Sequence, residues 1–253
     1  MSFNIRLGLS RDGPNRWYKR RQLVFDVIRR VRPHVLGVQE AFPYQLEELL
    51  AEFPSFGAIA DRRYGGRLTG TYAPLFFDNE RLQAERSDDF WLAPDPHGRR
   101  TRAWDAMVPR IAVWAEFSDR TAPGQRFAVA NTHFDQAGVV ARAESARLLA
   151  ARMAALASER VIMGDLNADE ATEPLQILRD AGYRDSFRER NPDSEALTYH
   201  GFRGRGARTL GKIDYILCSD GWRVLGAEIA RDSVDGRYPS DHFPITADLD
   251  LKT

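Results

Sequence analysis

The chain has 253 residues, and its 36 basic side chains balance its 36 acidic ones, so the formal net charge is zero. Because binding to long nucleic acid is driven by neutralisation of phosphates, this balance argues against a protein that forms a stable nucleic-acid complex. With 43% hydrophobic and 28% charged residues, the chain has the composition of a soluble globular protein, and its length suits a single domain over residues 1–253.

The sequence predicts no membrane span and no disulfide. No stretch approaches the roughly 18 consecutive apolar residues of a spanning helix, and the segment from Met1 to Arg6 lacks the apolar core of a signal peptide. The lone cysteine, Cys218, lies in an apolar run and is expected to be a small core residue. We therefore expect a cytoplasmic protein that is a monomer.

Helical and strand-like patterns alternate along the first half of the chain. Apolar residues at helical spacing predict a helix over residues 20–31, which Pro33 ends, and the apolar run 35–38 predicts a buried strand. A second amphipathic helix begins at Pro43. Further strands are expected over residues 72–77, 110–117 and 127–131.

The second half continues with a long helix over residues 141–156 and then with the apolar run 161–163. This run predicts a strand that ends at Gly164, where the missing Cβ permits a sharp turn of the backbone. A short helix around Leu175 follows, and strands are expected over residues 213–217, 224–229 and 243–249. Some strands are separated by helices and others follow one another directly, which indicates an α/β fold in which two packed sheets carry helices on the outside.

Polar side chains occupy the ends of most of these strands. They are Asn4, Glu40, the run from Asn131 to His133, Asp165, Asn167, Asp214 and the pair Asp241-His242. Any one of them could be a strand-end turn, a satisfied core histidine or a solvated charge. Together they are the carboxylates, amides and imidazoles that a hard metal ion and a phosphate require, which favours a catalytic site.

Asp165 and Asn167 are two residues apart, so their side chains point the same way if the chain there is extended. The carboxylate can then accept a proton while the carboxamide donates a hydrogen bond to an anionic oxygen. The alternative is an ordinary turn, because Asp and Asn both favour turns.

Eight short motifs run in order from the first residues almost to the last. They are Ser2-Phe3-Asn4-Ile5-Arg6, Gly37-Val38-Gln39-Glu40, Pro109-Arg110, Asn131-Thr132-His133, Gly164-Asp165-Leu166-Asn167, Thr198-Tyr199-His200-Gly201, Lys212-Ile213-Asp214-Tyr215-Ile216 and Ser240-Asp241-His242. As an ordered set they resemble the endonuclease/exonuclease/phosphatase superfamily of metal-dependent phosphoesterases, which includes pancreatic-type deoxyribonucleases and abasic-site endonucleases. Trp104-Asp105, shortly before Pro109, resembles a bacterial group within it.

The resemblance implies a four-layer α/β sandwich, with two central mixed β-sheets flanked by helices and the site at one end of the sheets. It also implies Mg²⁺ or Mn²⁺ held mainly by Glu40, with Asn4 and Asp241 near the ion, which agrees with the preference of Mg²⁺ for oxygen ligands. A zinc site built from histidines is the competing interpretation, but His133 and His242 are too few to favour it.

The same resemblance implies that water attacks a phosphorus atom in line with the leaving group. Asp165 would orient or deprotonate that water, and Asn167 would hold a non-bridging oxygen. His242, positioned by Asp214, would donate to the phosphate or to the developing charge. His133 would contact the phosphate or assist the leaving group.

The resemblance leaves open the role of Arg110 and the partner of His133. Arg110 either contacts the phosphate or forms a supporting salt bridge. Relatives with a histidine at the position of His133 often pair it with a Glu, where this chain has Gly70-Thr71-Tyr72. We hypothesise that the hydroxyl of Tyr72 takes the place of that Glu, so Tyr72→Phe should change the kinetics.

The first strand begins almost at Met1, so its edge pairing should be short.

The substrate stays open between a phosphorylated small molecule, a lipid headgroup and nucleic acid, and the scissile bond between a phosphodiester and a phosphomonoester. Arginines in the loops around residues 62–67 and 203–208 could line an anionic pocket or be solvated. Two further alternatives are a binding protein that kept the scaffold without turnover and a glycosidase, for which Glu40 and Asp165 would supply the two carboxylates.

Overall fold

Two β-sheets of six strands each lie at the centre of the computed structural model, which describes residues 1–59, 73–98, 100–156, 159–204 and 211–252. The first sheet has the order β11 (Trp222–Ile229), β12 (Ile245–Leu251), β1 (Ser2–Asn4), β2 (Val35–Gln39), β4 (Leu75–Asp78) and β3 (Phe56–Ile59). The second sheet has the order β5 (Leu82–Trp91), β6 (Ile111–Asp119), β7 (Arg126–His133), β8 (Arg160–Asp165), β10 (Asp214–Cys218) and β9 (Arg184–Asp185). Each sheet contains one parallel pair, β1 with β2 and β7 with β8, among antiparallel neighbours.

Helices cover the outer face of each sheet. They are α1 (Trp17–Val31), α2 (Pro43–Glu52), α3 (Val139–Ala154) and α4 (Glu173–Asp180). The short helix α5 (Ser186–Arg190) instead contributes Phe187 to the apolar cluster between the sheets. The apolar residues of α1 and α2 pack with those of β1 and β2, and the apolar residues of α3 and α4 pack with those of β7, β8 and β10. A third apolar cluster fills the space between the sheets. The fold is therefore the expected α/β sandwich of helix, sheet, sheet and helix layers.

Asn131 joins the two sheets through buried hydrogen bonds. Its amide nitrogen donates to the carbonyl oxygens of Val38 (2.8 Å) and Pro74 (2.9 Å), both in the first sheet or next to it. Its amide oxygen accepts from Gln39 at 2.6 Å. Gly37 makes this approach possible, because a Cβ there would lie 2.7 Å from the Asn131 Oδ1. Since a buried amide is costly unless its groups are paired, these contacts hold the sheets in one relative position.

Most of the predicted elements form, but three strands and one short helix were not expected. The predicted helices and strands over residues 20–31, 127–131 and 213–217 correspond to α1, β7 and β10 with shifted ends. The unexpected elements are β3, β5, β9 and α5. Residues 85–88 of β5 are exposed on this edge strand, so the strand lacks the alternation of apolar and polar residues that marks a half-buried strand. Cys218 is buried and unpaired, as predicted.

The strand that was expected to end at Gly164 continues through Asp165. Gly164 pairs with Thr132 of β7 and Tyr215 of β10, so the residue lies within the sheet rather than in a turn. Its φ angle is +148°, and a Cβ there would lie 2.0 Å from the carbonyl oxygen of Thr132. The glycine is needed for the close approach of β7 and β8 just before the catalytic candidates.

We therefore expect Gly164→Ala to lower the free energy of unfolding by roughly 3 kcal/mol or more, because the clash is with backbone and cannot be relieved by a rotamer change. The matched control is Gly226→Ala in β11, where the nearest atom to a new Cβ is a carboxylate oxygen of Asp248 at 3.4 Å. Urea denaturation of both variants tests the prediction. Equal midpoints would show that the approach of β7 to β8 does not require glycine.

The first strand pairs only briefly with β12, as expected. The register of β1 with β12 contains the single pair Ser2 and Ile245, whereas β12 continues to Leu251. Next to this short pairing lies a cavity of about 900 Å³ between the sheets, lined by residues that include Met1, Val35, Phe127 and Val161. These residues lie at the beginnings of β1, β2, β7 and β8, so the cavity is at the end of the sandwich away from the polar strand ends.

Candidate active site

Neighbouring strands of the second sheet place three of the predicted residues side by side. His133 is opposite Asp165 in the parallel pair of β7 and β8, and Asp165 is opposite Asp214 in the antiparallel pair of β8 and β10. All three are at most 8% exposed. The sheet register therefore brings together residues that are up to 81 positions apart in the sequence.

Asn4 connects this row with the first sheet. Asn4 ends β1 opposite Gln39 of β2, and Glu40 follows directly. The Nδ2 of Asn4 donates to Asp165 Oδ2 (3.0 Å) and to Glu40 Oε1 (3.3 Å). Its Oδ1 accepts from the backbone N–H of Arg6 (3.0 Å), which fixes the orientation of the amide. Asn4 thus holds one carboxylate from each sheet.

Asp165 is a buried carboxylate, and like Asp214 it has only 1% of its surface exposed. Its Oδ1 accepts from the N–H of Asn167, and its Oδ2 lies 3.4 Å from His133 Nε2 and 3.8 Å from His242 Nε2. Burial, with a further contribution from the charge of Asp214, raises the pKa of Asp165 to about 7. A carboxylate with this pKa can take up a proton at neutral pH.

His242 and Asp214 form a buried pair. The His242 Nδ1 lies 2.9 Å from Asp214 Oδ2, which leaves Nε2 directed toward Asp165. Burial alone would lower the pKa of His242, but the charge and hydrogen bond of Asp214 and the charges of Asp165 and Asp241 raise it to about 10. The ring is therefore an imidazolium at neutral pH, held by Asp214 in a fixed orientation.

Asn167 contacts His133 rather than open space. The Asn167 Nδ2 donates to the carbonyl oxygen of Phe134 (3.0 Å) and lies 3.0 Å from His133 Nε2. Both amide hydrogens are therefore engaged, and a phosphate oxygen would have to share or replace the contact with His133. Burial, the charge of Arg110 and the charge of His242 lower the pKa of His133 well below 6.5, so this ring is neutral.

The comparisons with known proteins agree with this geometry. Residues 1–242 match the model of the Endonuclease/Exonuclease/phosphatase family. The chain belongs to that family. A search of the curated proteins finds no match for this family member.

Solved structures of the family superpose on nearly the whole chain. A family protein from Bacteroides vulgatus is 31% identical, with a TM-score of 0.91 over 99% of this chain and 97% of that one. A mannosyl-6-phosphatase from Bacteroides thetaiotaomicron is 26% identical, with a TM-score of 0.90 over 99% and 98%. D. rerio TDP2, solved with a single-strand DNA product, shares the fold at 15% identity, with a TM-score of 0.76 over 99% and 97%.

The chain thus has the fold of hydrolases that act on phosphoester bonds. Within the described ranges, no helix is both long enough and apolar enough to traverse a bilayer.

Two further carboxylates of this family member lie near Asn4. Glu40 is partly exposed, and its Oε2 accepts from the N–H of Leu7 at 2.8 Å. Asp241 is 4% exposed, and its Oδ2 lies 3.5 Å from the guanidinium of Arg6. Glu40 and Asn167 have φ angles of +60° and +46°, a strained backbone region that is common at functional sites.

Arg110 forms a supporting ion pair. Its Nε lies 3.6 Å from Asp135 Oδ2, and 11% of the side chain is exposed. Asp135 also accepts from four backbone N–H groups, those of Met107, Val108, Ala137 and Gly138. The structure contains this salt bridge, and a contact of Arg110 with a phosphate stays a prediction.

Tyr72 and its two predecessors lie outside the described residues, so its pairing with His133 stays a hypothesis. Among the described residues, the His133 Nδ1 has no hydrogen-bond partner. The loop arginines at 62, 63, 67, 205 and 208 also lie outside the described ranges.

Two supporting residues were not expected from the sequence. Asp135 could have been found because it lies two positions after His133, on the same side of an extended chain. Thr198 belongs to a quoted motif, but its task was not assigned: its Oγ1 accepts from the N–H groups of Ile213 (2.9 Å) and Asp214 (3.1 Å). It therefore fixes the strand end that carries Asp214.

Proposed function

We propose that the chain is a divalent-metal-dependent phosphoesterase that hydrolyses a phosphodiester or phosphomonoester by in-line attack of water. The observation that carries this proposal is the position of Asp165. It is a buried carboxylate with a pKa of about 7, placed where Asn4, His133 and His242 converge from both sheets.

In this reaction Asp165 takes the proton of the attacking water. Its Oδ2 already accepts from Asn4, which fixes the direction of the oxygen, and its pKa suits proton transfer near neutral pH. His242, charged and oriented by Asp214, donates from Nε2 to a phosphoryl oxygen. The positive ring stabilises the negative charge that accumulates on the phosphoryl group.

His133 and Asn167 bind the phosphoryl group from the other side. His133 is neutral, and its Nε2 contacts the amide of Asn167. A phosphate oxygen that enters here would replace this contact between two neutral groups. The new hydrogen bond to the charged phosphate would be stronger, because it is charge-assisted. Arg110 keeps its place beside Asp135 and contributes positive charge to this region. Tyr72 remains our candidate partner for the His133 Nδ1, which has no hydrogen-bond partner among the described residues.

The carboxylates of Glu40 and Asp241 fit a Mg²⁺ or Mn²⁺ ion. Both are oxygen donors, Glu40 is partly open to solvent, and the guanidinium of Arg6 lies close to Asp241, as expected where negative charge gathers. Asn4 directs its amide nitrogen toward Glu40 and so orients this proposed metal ligand. The Oδ1 of Asn4 is the only atom of its side chain that could bind the ion, and it already accepts from the N–H of Arg6. When bound, the ion would supply stabilisation of the charge on the leaving oxygen.

Asp165, Asp214 and His242 are an alternative metal cluster, because one ligand atom from each lies within 4.8 Å of the others. The ring of His242 already lies between the two carboxylates and is hydrogen-bonded to one of them. A protonated imidazole cannot be a metal ligand, so the charge of this cluster is compensated without an ion. We therefore assign this cluster to proton transfer rather than to metal binding.

A parallel screen tests the proposed function. Phosphomonoesters, phosphodiesters, and single- and double-stranded DNA and RNA would be offered with Mg²⁺, Mn²⁺ and Ca²⁺. Hydrolysis that requires the metal and is lost with a chelator supports the proposal. Activity confined to nucleic acid would identify a nuclease, and no hydrolysis of any substrate would favour a ligand-binding protein on this scaffold.

The metal assignment predicts that Glu40→Gln weakens Mg²⁺ binding by about tenfold or more, because the neutral amide loses the charge attraction. Titration calorimetry with Mg²⁺ measures the affinity without reference to turnover. Glu47→Gln, an exposed glutamate of α2, is the control and should bind Mg²⁺ as the wild type does. An unchanged affinity in Glu40→Gln would remove Glu40 from the ligand set.

A further inference from the structure

Large apolar side chains are exposed together beside the candidate site. Among the described residues, nine such side chains are exposed, and five of them belong to two short segments: Trp104, Met107, Val108, Val139 and Val140, with exposures of 37% to 61%. We call these five residues the apolar rim. Large apolar side chains that are exposed on neighbouring segments commonly mark a binding surface.

The two segments of the rim are joined to each other. The carboxylate of Asp105 accepts from the N–H groups of Val140 (3.2 Å) and Ala141 (2.7 Å) at the start of α3. A Cβ on Gly138 would lie within 2.9 Å of atoms of Asp105, which shows how closely the loop approaches the helix. Trp104 has a φ angle of +53°, a strained conformation at the turn that presents the rim.

The rim is also joined to the phosphate-binding candidates. Asp135 Oδ2 accepts from the N–H groups of Met107 and Val108 and lies 3.6 Å from the Nε of Arg110. Asp135 is two residues beyond His133, a span of about 7 Å in an extended chain. A group held on the rim is thus within one alkyl chain's length of a phosphate at His133.

We propose that the apolar rim binds an aliphatic group carried by the phosphoester substrate. This inference rests on the proposed function, since it takes the phosphoryl group to lie at His133 and Asn167. The rim is mainly aliphatic and contains a single aromatic ring, whereas surfaces that bind nucleobases rely on several stacking aromatics. The occupant is therefore a monomeric amphiphilic phosphoester rather than a nucleotide.

Binding of alkyl phosphates tests this inference. The probes are methyl phosphate, octyl phosphate below its micelle-forming concentration, and thymidine monophosphate, each titrated calorimetrically into the protein with Mg²⁺. We expect octyl phosphate to bind roughly tenfold more tightly than methyl phosphate or better, because several methylene groups leave water. Equal affinities, or a preference for the nucleotide over octyl phosphate, would overturn the proposal.

Two single variants and a control locate the effect. Met107→Ser in the loop and Val139→Ser at the start of α3 should each remove part of the octyl preference and leave the methyl phosphate affinity unchanged. Serine is well accepted in the first turn of a helix, so Val139→Ser should fold, and Met107→Ser tests the rim without touching the helix. Leu225→Ser, at an equally exposed residue of β11 that lines the distant cavity, should keep the full preference.

The outcomes separate the rim from the proposed function. An octyl preference that survives both rim variants would overturn the inference while leaving phosphate binding intact. Failure of all three probes to bind, together with no hydrolysis in the substrate screen, would instead reject the phosphoesterase assignment on which the inference rests.

Discussion

The substitution Asp165→Asn is expected to lower kcat by about 10³-fold and to leave the fold intact. The amide has nearly the same shape but cannot accept the proton of the attacking water, and loss of a general base costs about 10² to 10⁴ in rate. Stability should change by only about 1 kcal/mol, because removal of a buried charge offsets the loss of the hydrogen bond from Asn4. Steady-state kinetics and thermal unfolding of the same preparation measure both quantities.

The matched control for this variant is Asp169→Asn. Asp169 is an exposed residue of the same loop, and its side chain accepts from the N–H of Ala171, which an asparagine oxygen can also do. The control should therefore keep wild-type kcat and stability. A kcat in Asp165→Asn within threefold of the wild type would exclude Asp165 as the group that activates water.

The pair of His242 and Asp214 is expected to show the second large effect. His242→Ala leaves a carboxylate buried without its partner, and Asp214→Asn removes the charge that keeps His242 protonated. Breaking a buried ion pair from one side costs about 3–5 kcal/mol. We expect each single variant to lose stability and most turnover, and the double variant to be less destabilised than the sum of the two.

The pH dependence of stability gives this pair a specific signature. The pKa of His242 is raised from 6.5 to about 10 in the folded protein, so the folded state binds this proton more tightly than the unfolded state. The stabilisation is fully present below pH 6.5 and is lost as the pH rises through about 10. The difference in unfolding free energy between wild type and His242→Ala should therefore shrink between these two pH values.

Urea denaturation at pH 6, 8 and 10 measures that difference in unfolding free energy. A difference for His242→Ala that stays constant from pH 6 to pH 10 would mean that the folded pKa of His242 is not raised.

The fold could be predicted to the extent that apolar runs identify strands. The runs 161–163 and 127–130 are buried between two layers, so they are apolar throughout and easily recognised. The edge strand β5 could not be recognised, because four consecutive residues in its middle, 85–88, are exposed. The role of Gly164 depends on how close β7 lies to β8, a contact between distant parts of the chain that no local pattern contains.

The composition of the candidate site could be predicted better than its contacts. Strand ends were expected to gather Asn4, Asp165 and Asp214, and the structure brings their side chains together. The orientation of the Asn4 amide follows from the backbone N–H of Arg6, and the engagement of Asn167 follows from the carbonyl of Phe134. These partners are backbone groups, whose positions depend on the finished fold rather than on residue type.

The link between the sheets through Asn131 has a consequence for how this protein gains activity during folding. Glu40 directly follows a strand of one sheet and Asp165 ends a strand of the other, so neither sheet alone positions the complete set of reactive groups. The set is assembled only after the sheets have docked and Asn131 has reached Val38 and Pro74. Recovery of turnover after dilution from urea should therefore follow the last docking step, and it should lag behind the return of secondary structure measured by circular dichroism.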